Sequence, residues 1–336
     1  MIREAIGGLV DGRSLSRADA STVMEEIVSG EATPAQIGAF STALRLKGET
    51  VDEIAGLASV MRSRATPVTP PQPVIDTCGT GGDGIGTFNI STAAAFVAAG
   101  AGAMVAKHGN RAMSSRCGSA DVLEALGVNI GLDADGVSRC LGEAGVGFMF
   151  APHFHPAMKN ASGPRREIGI RTVFNLLGPL ANPAGATSQV LGVPSPSLVE
   201  KLARVLQLLG CRRALVVHGA DGADELSISG PTQVAEIDGD WLRFYEVCPE
   251  DLGLARGELG EIMGGTAAQN AGMLRAVLSG GNGAPRRVVL LNASAALVVA
   301  GIAGSLAEGV AVAAESIDSG RALARLDRLV ERSQKC

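Results

Sequence analysis

The sequence predicts an α/β fold: a small N-terminal helical domain followed by a larger α/β domain with a mainly parallel central sheet. Three observations carry the prediction. Capped, amphipathic helical patterns fill the first 65 residues, four prolines crowd Thr66–Pro73, and from Val74 onward short apolar runs alternate with helical patterns. In such an alternation each helix returns the chain to the start of the next strand, so neighbouring strands run parallel.

The helical part is announced by its caps. Ser16-x-x-Asp19, Thr33-x-x-Gln36 and Thr50-x-x-Glu53 are capping-box patterns, the first in its weaker Asp form, in which side-chain oxygens satisfy free N–H groups of the first turn. Pro34 takes the favoured first helical position. Behind the caps, apolar residues recur at helical spacing: Ala20, Val23, Met24, Ile27 and Val28; then Ile37, Phe40 and Leu44; then Ile54, Leu57, Ala58 and Met61. The helical domain is placed at 1–66, joined by part of 156–188, where turn residues and short helical patterns suit a return to it. The proline run at 67–73 is the hinge, and 74–155 with 189–336 form the α/β domain. Its expected strands are Val74-Ile75, Ala103–Ala106, Val128–Ile130, Gly147–Phe150, Gln189–Val193, Ala214–Val217 and Val288–Leu291. Arg321–Glu331 reads as an amphipathic helix with Leu323, Leu326 and Val330 inward.

Composition narrows the class. Hydrophobic residues make up 46% and charged residues 19% of the 336, which buries a sizeable core and argues against disorder. A net charge of -5 argues against a general nucleic-acid binder. The six cysteines form no C-x-x-C pair, which argues against the usual zinc sites and for reduced thiols in the cytoplasm. Arg3, Glu4, Asp11 and Arg13 interrupt any apolar N-terminal stretch, so a signal peptide is not expected. The run Val288–Ala303 contains Asn292 and Ser294 and is flanked by Arg286 and Arg287; a buried strand, a short turn and a packed helix account for it better than a membrane span.

The chemistry gathers in loops. After Val74-Ile75 comes a glycine-rich segment, Asp76-Thr-Cys-Gly-Thr-Gly-Gly-Asp-Gly-Ile-Gly-Thr-Phe-Asn-Ile-Ser-Thr92, and an Ala-rich helix from about Ser91. Glycines let backbone N–H groups approach a polyanion, and a helix N-terminus adds unpaired N–H groups and a positive dipole end. Asn89, Ser91 and Thr92 add side-chain donors. Gly79-x-Gly81-x-x-Gly84 matches a dinucleotide fingerprint, but that unit needs glycines opening the helix directly and an acid about 20 residues on. Here more residues intervene, and the next strand ends at the base Lys107. The Walker A pattern fails as well, for no Gly-Lys-Ser/Thr follows. A phosphate or pyrophosphate site is the favoured reading, with a ligand-free glycine loop as its alternative.

A second loop, Lys107-His-Gly-Asn-Arg-Ala-Met-Ser-Ser115 through Ser119, follows the next strand and repeats this anion chemistry with Lys107, Asn110, Ser114, Ser115 and Ser119. A third, after Ala214–Val217, carries adjacent carboxylates Asp224 and Glu225. Such a pair is either solvated at a surface or bound to a cation; Mg²⁺ beside substrate phosphates uses one or two carboxylates plus water. His153-x-His155 lacks an evident third metal ligand. Arg165, in an apolar context, suits either a ligand carboxylate or a surface ion pair.

Taken together these motifs are specific. Gly79-Thr-Gly-Gly-Asp83, Thr87-Phe-Asn-Ile-Ser-Thr92, Lys107-His-Gly-Asn-Arg111, Gly118-Ser-Ala-Asp121, His155-Pro-Ala-Met158, Arg165-Arg166 with Asn175-Leu-Leu-Gly-Pro-Leu180, and Asp224-Glu225 stand in one chain. It resembles the anthranilate phosphoribosyltransferases of tryptophan biosynthesis over nearly its whole length, with a nucleoside phosphorylase/phosphoribosyltransferase-like architecture. The resemblance implies an active site at the hinge, a homodimer through the helical domains, and Mg²⁺-dependent transfer of a phosphoribosyl group from phosphoribosyl pyrophosphate to anthranilate. By position it implies that Gly79, Gly82, Asp83, Thr87, Asn89, Ile90, Ser91, Thr92, Lys107, Ser115 and Ser119 hold phosphoribosyl pyrophosphate. It gives Gly79, Asn110 and Arg165, with His108 and His155, to anthranilate, and Ser91, Asp224 and Glu225 to magnesium. Cys117 and Ala181 depart from the Ser and Thr expected there. A pyrimidine-nucleoside phosphorylase-like enzyme and a non-catalytic nucleic-acid-binding relative are the alternatives; neither nucleic acid nor membrane is an expected partner.

Overall fold

The N-terminal caps form as their patterns require. In the computed structural model, which describes residues 1–112 and 116–336, four helices open the chain: α1 (Ile2–Val10), α2 (Arg17–Ser29), α3 (Pro34–Lys47) and α4 (Val51–Ser63). The Ser16 side chain accepts the Asp19 N–H, and full reciprocal boxes close at Thr33/Gln36 and Thr50/Glu53. All the apolar positions expected on the three faces are buried. Glu53 does more than cap. Its carboxylate accepts from Thr50 N at 2.7 Å and Leu15 N at 2.9 Å, and pairs with Lys47 Nζ at 2.9 Å, with no exposure of its own.

The rest of the chain builds a seven-stranded sheet in the order β3-β2-β1-β4-β5-β6-β7. The strands are β1 (Ile75–Gly79), β2 (Val105–Gly109), β3 (Val146–Phe150), β4 (Ser188–Gly192), β5 (Arg213–Gly219), β6 (Thr232–Asp238) and β7 (Trp241–Val247). The first five are mutually parallel; β6 and β7 are antiparallel additions at one edge. One apolar cluster lies under helix α5 (Ile90–Gly100) and the C-terminal helices. The other joins the N-terminal helices, helix Ser197–Leu208 and the opposite face of β4–β6. Helix Lys159–Ile168 packs on α2 and α3. Between α4 and β1 the chain has neither helix nor strand; Thr66 N donates to Phe154 O and Val68 N to Pro183 O.

Two expected strands are not strands. Val288–Leu291 lies inside helix Ala284–Val299, and no turn interrupts it. This helix is packed against α5 and helix Leu306–Asp318 and is apolar nearly all round, so its sequence lacks the 3.6-residue alternation that separates a helix from a buried strand. Its polar residues are absorbed internally: Asn292 donates to Val288 O and Leu226 O, and Ser294 to Leu291 O. Val128–Ile130 is a loop between helices Ser119–Ala125 and Ala134–Ala144, where Val128 and Ile130 are buried without pairing. The hairpin β6–β7 has no counterpart among the expected strands; β7 is largely exposed and so shows little alternation. The last helix, Arg321–Ser333, buries Ala322, Leu326, Leu329 and Ser333, leaving Leu323 and Val330 at the margin. No helix among the described residues is long and apolar enough to cross a membrane.

Removing Glu53 would leave Lys47 buried without its counter-charge and uncap α4. Glu53→Ala should therefore cost about 3–5 kcal/mol, read as a lower urea midpoint; a loss below about 0.5 kcal/mol, the range of ordinary surface substitutions, would show that the pair is not structural.

Candidate functional site

In the sheet order, β1 is flanked by β2 on one side and β4 on the other, so connections leave it in opposite directions. At such a switch point the loops diverge and open a crevice at the carboxyl ends of the strands. The glycine-rich loop leaves β1 at this point. The last residues of β1 and β4, Gly79 and Gly192, are register partners. Above them lies Asp224. A Cβ on Gly192 would overlap the Asp224 backbone, and one on Gly79 would overlap its carboxylate. The carboxylate also accepts from Gly81 N at 2.7 Å. Glycine at these strand ends thus admits the acidic loop into contact with the backbone of the glycine-rich loop.

The neighbouring acid reaches the other wall. Glu225 Oε1 accepts from Ser91 N, in the first turn of α5, at 3.2 Å. Lys107, the middle residue of β2 rather than the strand end the sequence suggested, is only 3% exposed; it donates to Thr77 O and approaches Ser91 Oγ at 3.4 Å. Asn89 is fixed at both ends, donating to Cys117 O at 3.3 Å and accepting from Asn270 at 2.9 Å. The Thr80 and Thr92 hydroxyls are buried and have no partner among the described residues. Burial raises the Asp224 carboxyl, with Asp83 adding to the effect; burial and Asp224 raise Glu225 in the same way. Three acids crowded at low exposure call for positive charge.

These residues line a cavity of about 590 Å³. Its wall includes Gly79, Gly82, Asp83, Thr87, Asn89, Ile90, Ser91, Thr92, Lys107, Ser119, Asp224 and Glu225; Ser115 lies outside the described residues. A second cavity of about 340 Å³ adjoins it, lined by Met61, Pro152, Met158, Phe174 and Pro179 with His108, His155 and Arg165. Gly79, His108, Asn110 and Arg165 belong to both. Arg165 stacks over the Phe174 ring at 5.5 Å and has no ion-pair partner among the described residues. His108 and His155 pack ring to ring at 4.9 Å, and neither Nε2 has a partner among the described residues. His153 points elsewhere, edge-on to Phe150, so the His-x-His pattern is not a metal pair.

Two features escaped the sequence-based prediction. Asp76, fully buried in β1, accepts from His108 N at 3.4 Å and from Asn182 at 2.7 Å, tying β2 to the loop that supplies the Pro179 wall. Arg171 enters the larger cavity and donates to Thr80 O at 3.0 Å. Both stand inside the motif-rich stretches, but nothing in their spacing marks them.

Known proteins with this organisation are recognisable. A family described as "Glycosyl transferase family, a/b domain" matches residues 71–323, and its "helical bundle domain" matches residues 3–65. The anthranilate phosphoribosyltransferase of Chloroflexus aggregans is 63% identical over 98% of this chain and 97% of its own. The crystal structure of the Thermus thermophilus anthranilate phosphoribosyltransferase superposes with a TM-score of 0.93 at 45% identity, covering 98% of this chain and 99% of that one. The Saccharomyces cerevisiae enzyme, solved in complex with PRPP (phosphoribosyl pyrophosphate) and Mg, gives a TM-score of 0.91 at 30% identity, covering 100% and 98%. The chain belongs to the anthranilate phosphoribosyltransferase family.

Proposed function

We infer that the chain transfers the phosphoribosyl group from 5-phosphoribosyl 1-pyrophosphate to the amine of anthranilate, giving N-(5-phosphoribosyl)anthranilate and pyrophosphate in tryptophan biosynthesis. The observation that carries this reading is the junction of two unlike cavities. One is lined by glycine backbone, a helix N-terminus, Lys107 and an acidic pair; the other is apolar and edged by Arg165. Two substrates of matching chemistry, a polyphosphate and an aromatic acid, meet at Gly79 and Asn110.

In this reading Gly82, Asp83, Thr87 and the N-terminal turn of α5 (Asn89, Ile90, Ser91, Thr92) hold the phosphoribosyl pyrophosphate, with Lys107, Ser115 and Ser119. The exposed loop N–H groups stabilise charge developing on the departing pyrophosphate. The C1–O bond breaks as the amine nitrogen forms the new bond to C1, and the proton this nitrogen then sheds passes to the departing pyrophosphate or to water. That amine carries a free lone pair and needs no strong base, so positioning supplies much of the rate. Arg165 and Asn110 orient anthranilate, the guanidinium taking its carboxylate.

The acidic residues fit Mg²⁺. Asp224 and Glu225 are half-buried carboxylates with raised proton affinity, while no three His, Cys, Asp or Glu groups among the described residues form a cage by themselves. Asp224 and Glu225, with Ser91 beside them, would hold the cation together with phosphate oxygens and water. When bound, the cation neutralises pyrophosphate charge.

His108 Nδ1 lies 3.2 Å from Gly178 O. A carbonyl only accepts, so Nδ1 bears the hydrogen and the neutral ring presents a lone pair at Nε2, suited to an amine N–H. The helical domain (1–66, with part of 156–188) closes on the α/β domain about 67–73, which excludes water that would capture the activated ribose. The enzyme acts in the cytoplasm as a homodimer through the helical domains, where Val10 and Leu46 are exposed; light scattering should return twice the chain mass, and a monomer would reject the dimer.

Purified protein should quench anthranilate fluorescence only when both Mg²⁺ and phosphoribosyl pyrophosphate are present; no loss at saturating substrates would sink the assignment. Arg165→Ala should raise KM for anthranilate by about tenfold or more, the loss of a charged hydrogen bond, and leave that for phosphoribosyl pyrophosphate nearly unchanged. Equal effects would remove Arg165 from the acceptor role.

The histidine pair also predicts a pH dependence. Burial, aided by His155, lowers His108 to about 3, and burial lowers His155 to about 4, from an ordinary 6.5. The unfolded chain therefore takes up protons first as pH falls. The pair contributes stability above about 6.5 that is lost progressively towards 3–4. His108→Gln should lose less stability than the natural protein on acidification from pH 7 to 4.5; parallel melting-temperature curves would contradict this.

A further inference from the structure

Arg171 reaches the glycine loop from the opposite side of the cleft. It lies just after helix Lys159–Ile168, in a segment whose neighbours pack on α2, α3 and α4. From there its Nη2 donates to Thr80 O at 3.0 Å. The contact is close enough that a Cβ on Gly82 would overlap the guanidinium, and Gly82 itself sits at φ +82°. The loop is therefore gripped between two charges: the Asp224 carboxylate against Gly79 and Gly81, and the Arg171 guanidinium against Thr80 and Gly82.

The guanidinium is not consumed by this contact. Arg171 lines the larger cavity, forms no ion pair among the described residues, and has no hydrogen bond there besides the one to Thr80 O. Arginine offers five N–H donors in a rigid fork that matches phosphate oxygens. It also sits in the attractive fields of Asp224 and Asp83, opposed by Arg45 of α3. A cation that is half-buried, close to the acids and supplied with free donors faces the space where a diphosphate would lie.

We propose that Arg171 is a further binding residue for the diphosphate of phosphoribosyl pyrophosphate, holding the glycine loop with one N–H group and the ligand with the others. The proposal rests on the reading of the larger cavity as the phosphoribosyl pyrophosphate site. It makes the helical side of the cleft a contributor to diphosphate binding as well as to the acceptor pocket, through residues six positions apart, Arg165 and Arg171.

The test is calorimetric titration of the full chain in Mg²⁺ with phosphoribosyl pyrophosphate and, separately, with inorganic pyrophosphate, alongside KM for both substrates. Arg171→Gln should weaken both ligands by about tenfold, the effect of one charged hydrogen bond, and leave KM for anthranilate within about twofold. Arg171→Lys should recover part of the loss, because an ammonium restores charge without the fork. Folded Arg171→Gln that binds pyrophosphate as the natural protein does would overturn the proposal. So would a melting-temperature drop with unchanged affinities, which marks a purely structural contact. If Arg171→Gln does not fold, Arg171→Lys decides: full affinity for both ligands overturns the proposal, and a several-fold deficit supports it. Natural protein that binds neither ligand would remove the cavity reading, and this proposal with it; binding by the natural protein with unaffected variants removes only the role of Arg171.

Discussion

The acidic loop lying over the ends of β1 and β4 is the constraint from which the site follows. Parallel strands leave their carboxyl ends open, and the crevice is widest where the chain departs in opposite directions. Here the crevice is floored by Gly79 and Gly192, register partners that leave no room for a Cβ beneath Asp224. Because the acid touches the loop directly, the backbone N–H of Gly81 is already oriented by a carboxylate before any ligand arrives. The backbone proposed to bind the anion and the side chain proposed to bind the cation are thus parts of one contact, and neither can move far without the other.

Charge is then distributed by burial. Lys107 sits under the loop with its ammonium on a backbone carbonyl and a serine hydroxyl, while Asp224 and Glu225 sit above it and hold protons more tightly than exposed acids do. Low exposure strengthens each of these fields and makes an unbalanced charge costly. The acceptor side follows the opposite rule. Its histidines are neutral and its wall is largely Met, Pro and Phe, with charge confined to Lys159 and Arg165. In the proposed assignment a polyanion and an aromatic acid are sorted by this difference in surroundings, although the two cavities share several residues.

Local signals were legible where one residue decides local geometry. The caps at Thr33 and Thr50, the β1 glycine loop and the Asp224-Glu225 pair each depend on short-range chemistry, and each lies where the sequence places it. The motif set identified the family, which the relatives bear out. What failed was periodicity without contrast. Helix Ala284–Val299 is buried on nearly all sides and β7 is exposed on most of its length, so neither alternates in a way that reveals its type. Asp76, Asn182, Gly192 and Arg171 were illegible for another reason. Their importance comes from partners 32 to 106 positions away or from a space seen only in three dimensions, as with the Asp76 bonds to His108 N and Asn182 and the Arg171 bond to Thr80 O.

The edge hairpin has a consequence for spectroscopy. The single tryptophan, Trp241, opens β7 and is 82% exposed. It stands level with Asp238 and, through it, with Arg213 at the start of β5, on the rim of the sheet opposite the strand ends that carry the site. Four strand spacings, about 19 Å at roughly 4.8 Å each, separate β7 from β1 across the sheet. Indole emission from this protein is therefore a reporter of the outermost hairpin. It will be red-shifted from the outset, because the indole already lies in water, and it reports on solvent at the hairpin rather than on contacts inside the cleft.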